Sequence, residues 1–158
     1  MSCSGRGSCH TWIIGYGNPQ RGDDGIGPYV VSRIEEILGG ERGITLRTCH
    51  QLEPELVEEL HDAQRIILVD ATVHELEGGS QWMKVEPECE ALPHITHHCK
   101  PSFLLGLLKL LYDACPEAWV VSVQGDDFGY CEGLTSMAQE RAKRAVREIV
   151  HFVARENN

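Results

Sequence analysis

Long hydrophobic runs are missing from this 158-residue chain, and no apolar stretch approaches the ~18–20 residues that a bilayer crossing needs. Cations are scarce as well. Lys and Arg number 14 against 24 Asp and Glu, for a formal net charge of -10. That balance excludes the basic footprint by which proteins hold nucleic acid or an anionic membrane. Met1–His10 are small and polar and lack the apolar core of a secretion signal. Paired-cysteine signatures are missing too: the seven cysteines are scattered and include no C-x-x-C pair. The expectation is a cytoplasmic chain with reduced thiols, a flexible tail over 1–10 and a single domain over 11–158.

Familiar catalytic and nucleotide-binding signatures are also lacking. The turn "GYGNPQRGDDG", Gly15–Gly25, begins like a dinucleotide fingerprint, yet Gln20 stands where the third glycine belongs. Its two aspartates lie inside the loop, where they would repel a pyrophosphate. No Gly-Lys-Ser/Thr follows, so a P-loop is excluded, and neither H-E-x-x-H nor G-x-S-x-G occurs.

What is present reads as alternating strands and helices. Thr11–Tyr16 predicts a first strand, and Ile26, Val30, Ile34, Ile37 and Leu38 recur at helical spacing up to the stop at Gly39-Gly40. Ile44–Thr48 predicts a second strand, Leu52, Leu56, Val57 and Leu60 a helix, and Arg65–Asp70 a buried strand. Gln81–Glu86 predicts a strand nearer an edge, Pro101–Tyr112 a leucine-rich helix, and Trp119–Val123 a further buried strand. A long final helix starts near Ser136, with Met137, Ala138, Ala142, Ala145, Val146, Ile149 and Val153 on one face. Its cap is either Ser136, at capping-box spacing to Gln139, or Thr135. This order predicts an α/β/α sandwich around a mostly parallel sheet of about five strands.

Three loops then carry candidate chemistry. Asp23 and Asp24 open the first helix. Capping and dipole compensation account for one of them but less well for a pair at the carboxyl end of a strand, where open α/β sheets bind ligands. Asp70 ends the buried strand; alone it fits a turn cap as well as a site, and beside Asp24 the site reading prevails. His97 and His98, in "THHCKP", precede the leucine-rich helix. Two carboxylates and one imidazole from separate loops form an O, O, N set with open positions, suited to a first-row divalent metal. Asp23 is the weaker candidate, because successive side chains at a helix start diverge by about 100°. A structural zinc site built from Cys89, His94, His97 or His98, and Cys99 is disfavoured by its irregular spacing.

Taken in order, "GYGNPQRGDDGIG", "RIILVDA" and "THHCKPSFLLGLL" resemble the maturation proteases of [NiFe] hydrogenases over nearly the whole chain. "GDDFGYCEGLT" resembles the corresponding loop of the branch serving bidirectional, NAD-linked hydrogenases. The resemblance implies an endopeptidase that recognises a nickel-loaded large-subunit precursor and removes its C-terminal extension. It implies metal contacts, and catalytic roles, at Asp24, Asp70 and a histidine, His97 by its spacing to Leu104-Leu105, with His98 the alternative. Gly17 and Asn18, with Asp23, would shape the substrate cleft. Nickel would arrive with the precursor, so no permanently bound metal is expected, and a monomer suffices. A non-catalytic nickel-checking partner of the same large subunit would use the same ligands.

Overall fold

The computed structural model describes residues 9–88 and 99–157. Five strands form one sheet in the order β2-β1-β3-β5-β4. β1 (Thr11–Tyr16) lies between β2 (Ile44–Cys49) and β3 (Arg65–Thr72), and β3 pairs with β5 (Glu117–Gln124), all parallel. β4 (Ser80–Lys84) runs antiparallel along the outer side of β5. The expected edge position of the fourth strand follows from its exposed alternate residues, which leave too little apolar surface for a central place.

Strand side chains alternate between the two faces, and each face builds its own core. Ile13, Ile67, Val69, Val121 and Val123 meet α1 (Ile26–Leu38) and α4 (Ser136–Glu156) on one side. On the other side Trp12, Ile14, Ile66 and Leu68 meet the single turn α2 (Val57–Leu60) and α3 (Pro101–Tyr112). α1 lies against the sheet where two glycines face each other. A Cβ at Gly15 would stand 2.1 Å from the Gly27 carbonyl oxygen, so only a bare backbone permits this approach.

Some apolar positions behave differently from their spacing. The Leu52–Leu60 segment predicts a helix but yields only a 3-10 turn and one α-turn; its buried side chains anchor the crossover to β3 without needing helical length. Ile37 is 58% exposed because the buried stripe of α1 ends at Ile34, with Leu38 at its margin. Met137 precedes Ala138, the first core position of α4, and is exposed. Of the leucines of α3, Leu104, Leu105, Leu107 and Leu108 are buried, whereas Leu110 and Leu111 face out. Thr135 is the cap of α4, its side chain accepting from the Ala138 amide at 3.3 Å. Residues 1–8 of the expected tail lie outside the described residues. His10 is tied down: its carbonyl accepts from the amides of Gln64 and Arg65. Among the described residues no helix is long and apolar enough to cross a membrane.

Candidate active site at the carboxyl edge of the sheet

The chain leaves β1 for β2 on one side and later enters β3 on the other, so the sheet changes winding direction between β1 and β3. Crossover connections diverge at such a point and leave a crevice above the strand ends. The glycine turn and Asp70 both stand there.

The turn is built from its backbone outward. Gly17 has φ +140, and a Cβ there would lie 2.0 Å from the carbonyl oxygen of Asp24. Glycine thus lets the outgoing loop fold back onto the start of the 3-10 turn Gly22–Gly25. The fold-back brings the Asn18 amide to 2.7 Å from Asp24 Oδ2, to which it donates, while Asn18 Oδ1 accepts from the Gln20 amide at 2.9 Å. One oxygen of the half-buried Asp24 is thereby fixed by the main chain.

Asp70 is set by strand register. Gly15 pairs with Val69, which brings the next residues, Tyr16 and Asp70, side by side on the α2–α3 face. The Tyr16 hydroxyl donates to Asp70 Oδ2 at 3.0 Å. Asp70 Oδ1 is buried and accepts no hydrogen bond among the described residues. Ser122 pairs with Asp70 across β5, and its hydroxyl is a neighbour of the carboxylate. Burial pushes the Asp70 carboxyl above its ordinary pKa, and the Asp24 charge pushes the same way against the neighbouring Ser122 and Tyr16 hydroxyls. Burial, followed by the Asp70 charge, drives the Tyr16 phenol far above its usual range, so it remains a donor. A buried carboxylate with one oxygen left open is a costly arrangement unless a cation or a proton completes it. The two aspartates are a partial ligand set for a cation, two donors where a metal-holding group among the described residues would need three.

Asp23 does not line the cleft. Its side chain is wholly buried, with Oδ2 accepting from the amides of Asp126 and Asp127 at 2.7 and 3.1 Å and from the Thr135 hydroxyl at 2.8 Å. Its Oδ1 accepts from the Thr135 amide at 2.7 Å. Burial raises its pKa, but these donors more than offset it and hold the carboxyl below its ordinary value. The divergence of successive side chains explains the split: Asp24 turns toward the crevice and Asp23 toward the β5–α4 loop. Backbone bonds reinforce that junction, since the Gly22 amide donates to the Cys131 carbonyl at 2.7 Å and the Cys131 amide to the Gln20 carbonyl at 3.1 Å.

His97 and His98, and the zinc alternative's Cys89 and His94, lie outside the described residues. Among the described residues no third His, Cys, Asp or Glu joins the two aspartates in a metal-holding group. Sequence reasoning missed Tyr16 as a site residue. The available signal was a hydroxyl-bearing aromatic between two glycines at a strand end, where a purely apolar residue would have served packing alone.

The fold and this edge define an open α/β domain with one carboxylate from the turn after β1 and one from the end of β3 at the switch point of its sheet. Solved structures with a similar fold include hydrogenase maturation proteases. The [NiFe] hydrogenase maturation protease HycI from Thermococcus kodakarensis KOD1 superposes with a TM-score of 0.72 at 22% identity, over 94% of this chain and 95% of its own. The hydrogenase maturating endopeptidase HybD from E. coli superposes with a TM-score of 0.75 at 18% identity, over 93% of both chains. A hydrogenase 2 maturation peptidase from a Thaumarchaeota archaeon follows at 0.65 and 17%, over 91% of this chain and 97% of its own. At these identities the likeness is one of fold. No known family profile and no curated protein matches the sequence.

Proposed function

We propose that this chain is an endopeptidase that removes the C-terminal extension of a [NiFe] hydrogenase large-subunit precursor once nickel has been inserted. The observation that carries the reading is the convergence of Asp24 and Asp70 at one sheet edge, with a buried carboxylate oxygen of Asp70 left open. Full-length superposition on proteins whose solved structures are named as hydrogenase maturation proteases supports the same reading. So does the ordered set of three motifs in the sequence.

In this reading nickel belongs to the substrate. Asp24, Asp70 and a histidine, His97 with His98 as the alternative, receive it as the precursor's C-terminal segment lies across the crevice. Nickel would supply the recognition charge, and it would either polarise the scissile carbonyl or only orient the chain. The chain's part is to hold two carboxylates at fixed positions and to keep the glycine turn narrow enough for an extended peptide to lie over it. The acidic edge, part of a chain of net charge -10, favours a precursor only when it brings that cation.

The test is incubation with a nickel-loaded and a nickel-free precursor, following the C-terminus by intact mass. The loop resemblance makes the large subunit of a bidirectional NAD-linked hydrogenase the first choice. A discrete C-terminal loss that requires nickel and disappears in Asp24→Ala and Asp70→Ala is expected. A precursor that binds nickel-dependently yet stays intact would instead make the chain a nickel-checking partner.

A further inference from the structure

Tyr16 is a polar neighbour of the paired aspartates that the proposed reaction leaves without a role, and its hydrogen bond to Asp70 has a defined geometry. Its ring packs on the core beneath α2 and α3, which fixes where its hydroxyl can go. That hydroxyl donates to Asp70 Oδ2 at 3.0 Å and to the site rather than to solvent. The opposite oxygen, Oδ1, is buried and unpaired among the described residues. A hydrogen bond kept only for stability would ordinarily belong to a closed network, because a half-satisfied buried carboxylate costs more than an apolar pair of the same shape. Asp24 repeats the pattern, its Oδ2 held by the Asn18 amide at 2.7 Å. Each carboxylate therefore has one oxygen occupied by this chain's own donor.

We propose that Tyr16 is a positioning residue that restricts Asp70 to a single metal-directed oxygen and so biases the site toward a first-row divalent ion over larger oxygen-seeking cations. The inference rests on the proposed role of Asp24 and Asp70 as ligands. The chemistry is direct. Calcium collects six to eight oxygens and readily takes both from one carboxylate, whereas a first-row ion is satisfied by fewer, directional donors that include imidazole. With the Tyr16 bond in place, two-oxygen chelation by Asp70 requires breaking it. The Asn18 amide imposes the same condition on Asp24.

The test measures binding of Ni²⁺ alone and of Ca²⁺ alone to the isolated full chain by equilibrium dialysis, in wild type, Tyr16→Phe, Tyr16→Leu, Asp24→Ala and Asp70→Ala, with a thermal melt of each. The expected result is loss of Ni²⁺ binding in both aspartate variants. Y16F should bind Ni²⁺ about tenfold more weakly, with a smaller Ni²⁺ preference over Ca²⁺ and an unchanged melt. A packing role alone predicts a lowered melt in Y16L and wild-type metal preference in Y16F, and that result overturns the proposal while leaving the ligand reading intact. Unchanged Ni²⁺ affinity in D24A and D70A overturns the ligand reading and the proposal with it. A wild-type chain that takes up no Ni²⁺ at millimolar concentration overturns the proposal, while the protease reading stands or falls by precursor cleavage.

Discussion

The carboxylate of Asp23 holds Thr135 twice, through its amide at 2.7 Å and its hydroxyl at 2.8 Å, and so ties the loop after β1 to the cap of α4. The buried carboxyl has a depressed pKa in the folded state, so its stabilisation is fully present above its unfolded value and is lost as pH falls through the folded one. Asp23→Asn replaces one acceptor oxygen by a donor that faces amide N–H groups. It should cost about 2–4 kcal/mol at neutral pH in urea denaturation. The difference from wild type should shrink as the pH is taken below the ordinary carboxylate range.

Asp70 has the opposite sign. Its pKa is raised on folding, so its ionised form opposes the fold at every pH above the folded value, and the opposition vanishes below the unfolded one. Asp70→Asn should therefore raise Tm at pH 7, and the gain should disappear below the ordinary carboxylate range. The same variant should lose precursor cleavage. Calorimetry and the mass assay, run on one preparation, check both halves.

Gly17→Ala places a methyl group 2.0 Å from the Asp24 carbonyl oxygen on a backbone of φ +140. The loop must open to admit it, which breaks the Asn18 amide bond to Asp24. A loss of about 2–4 kcal/mol is expected by chemical denaturation, together with loss of cleavage.

α3 offers a contrast within one helix. Leu104 is buried and Leu110 exposed. Leu104→Ala should cost about 2–5 kcal/mol, whereas Leu110→Ala should stay within about 0.5 kcal/mol of wild type. Equal losses from the two in parallel melts would mean that the outer face of α3 is covered in solution.

The central strands β1 and β3 were legible because each carries an apolar run that ends at a glycine or an aspartate. β1 lies at Thr11–Tyr16 as read, and β3 extends the Arg65–Asp70 run only to Thr72. The residues that misled were apolar side chains at element ends, such as Ile37 and Met137, where spacing continues after the packing partner has stopped. The aspartate pair was legible as chemistry, and its division of labour was foreshadowed by helical geometry. The partners of Asp23 were not legible, because they come from Asp126, Asp127 and Thr135, more than a hundred positions away, and no local pattern encodes which loop a carboxylate will enter. Tyr16 escaped for a related reason: its contact with Asp70 depends on the β1–β3 register, which only the paired sheet supplies.

Asp23 and Thr135 stand 112 positions apart, and that separation imposes an order in time. A ribosome delivers β1, the glycine turn and Asp24 first, and the loop that receives Asp23 only after β5. Domains generally fold as units, so the first loop waits through most of synthesis with its carboxylate unpartnered. An edge that needs both halves of its own polypeptide stays unassembled on the nascent chain, and translation must reach α4 before that edge takes its final shape.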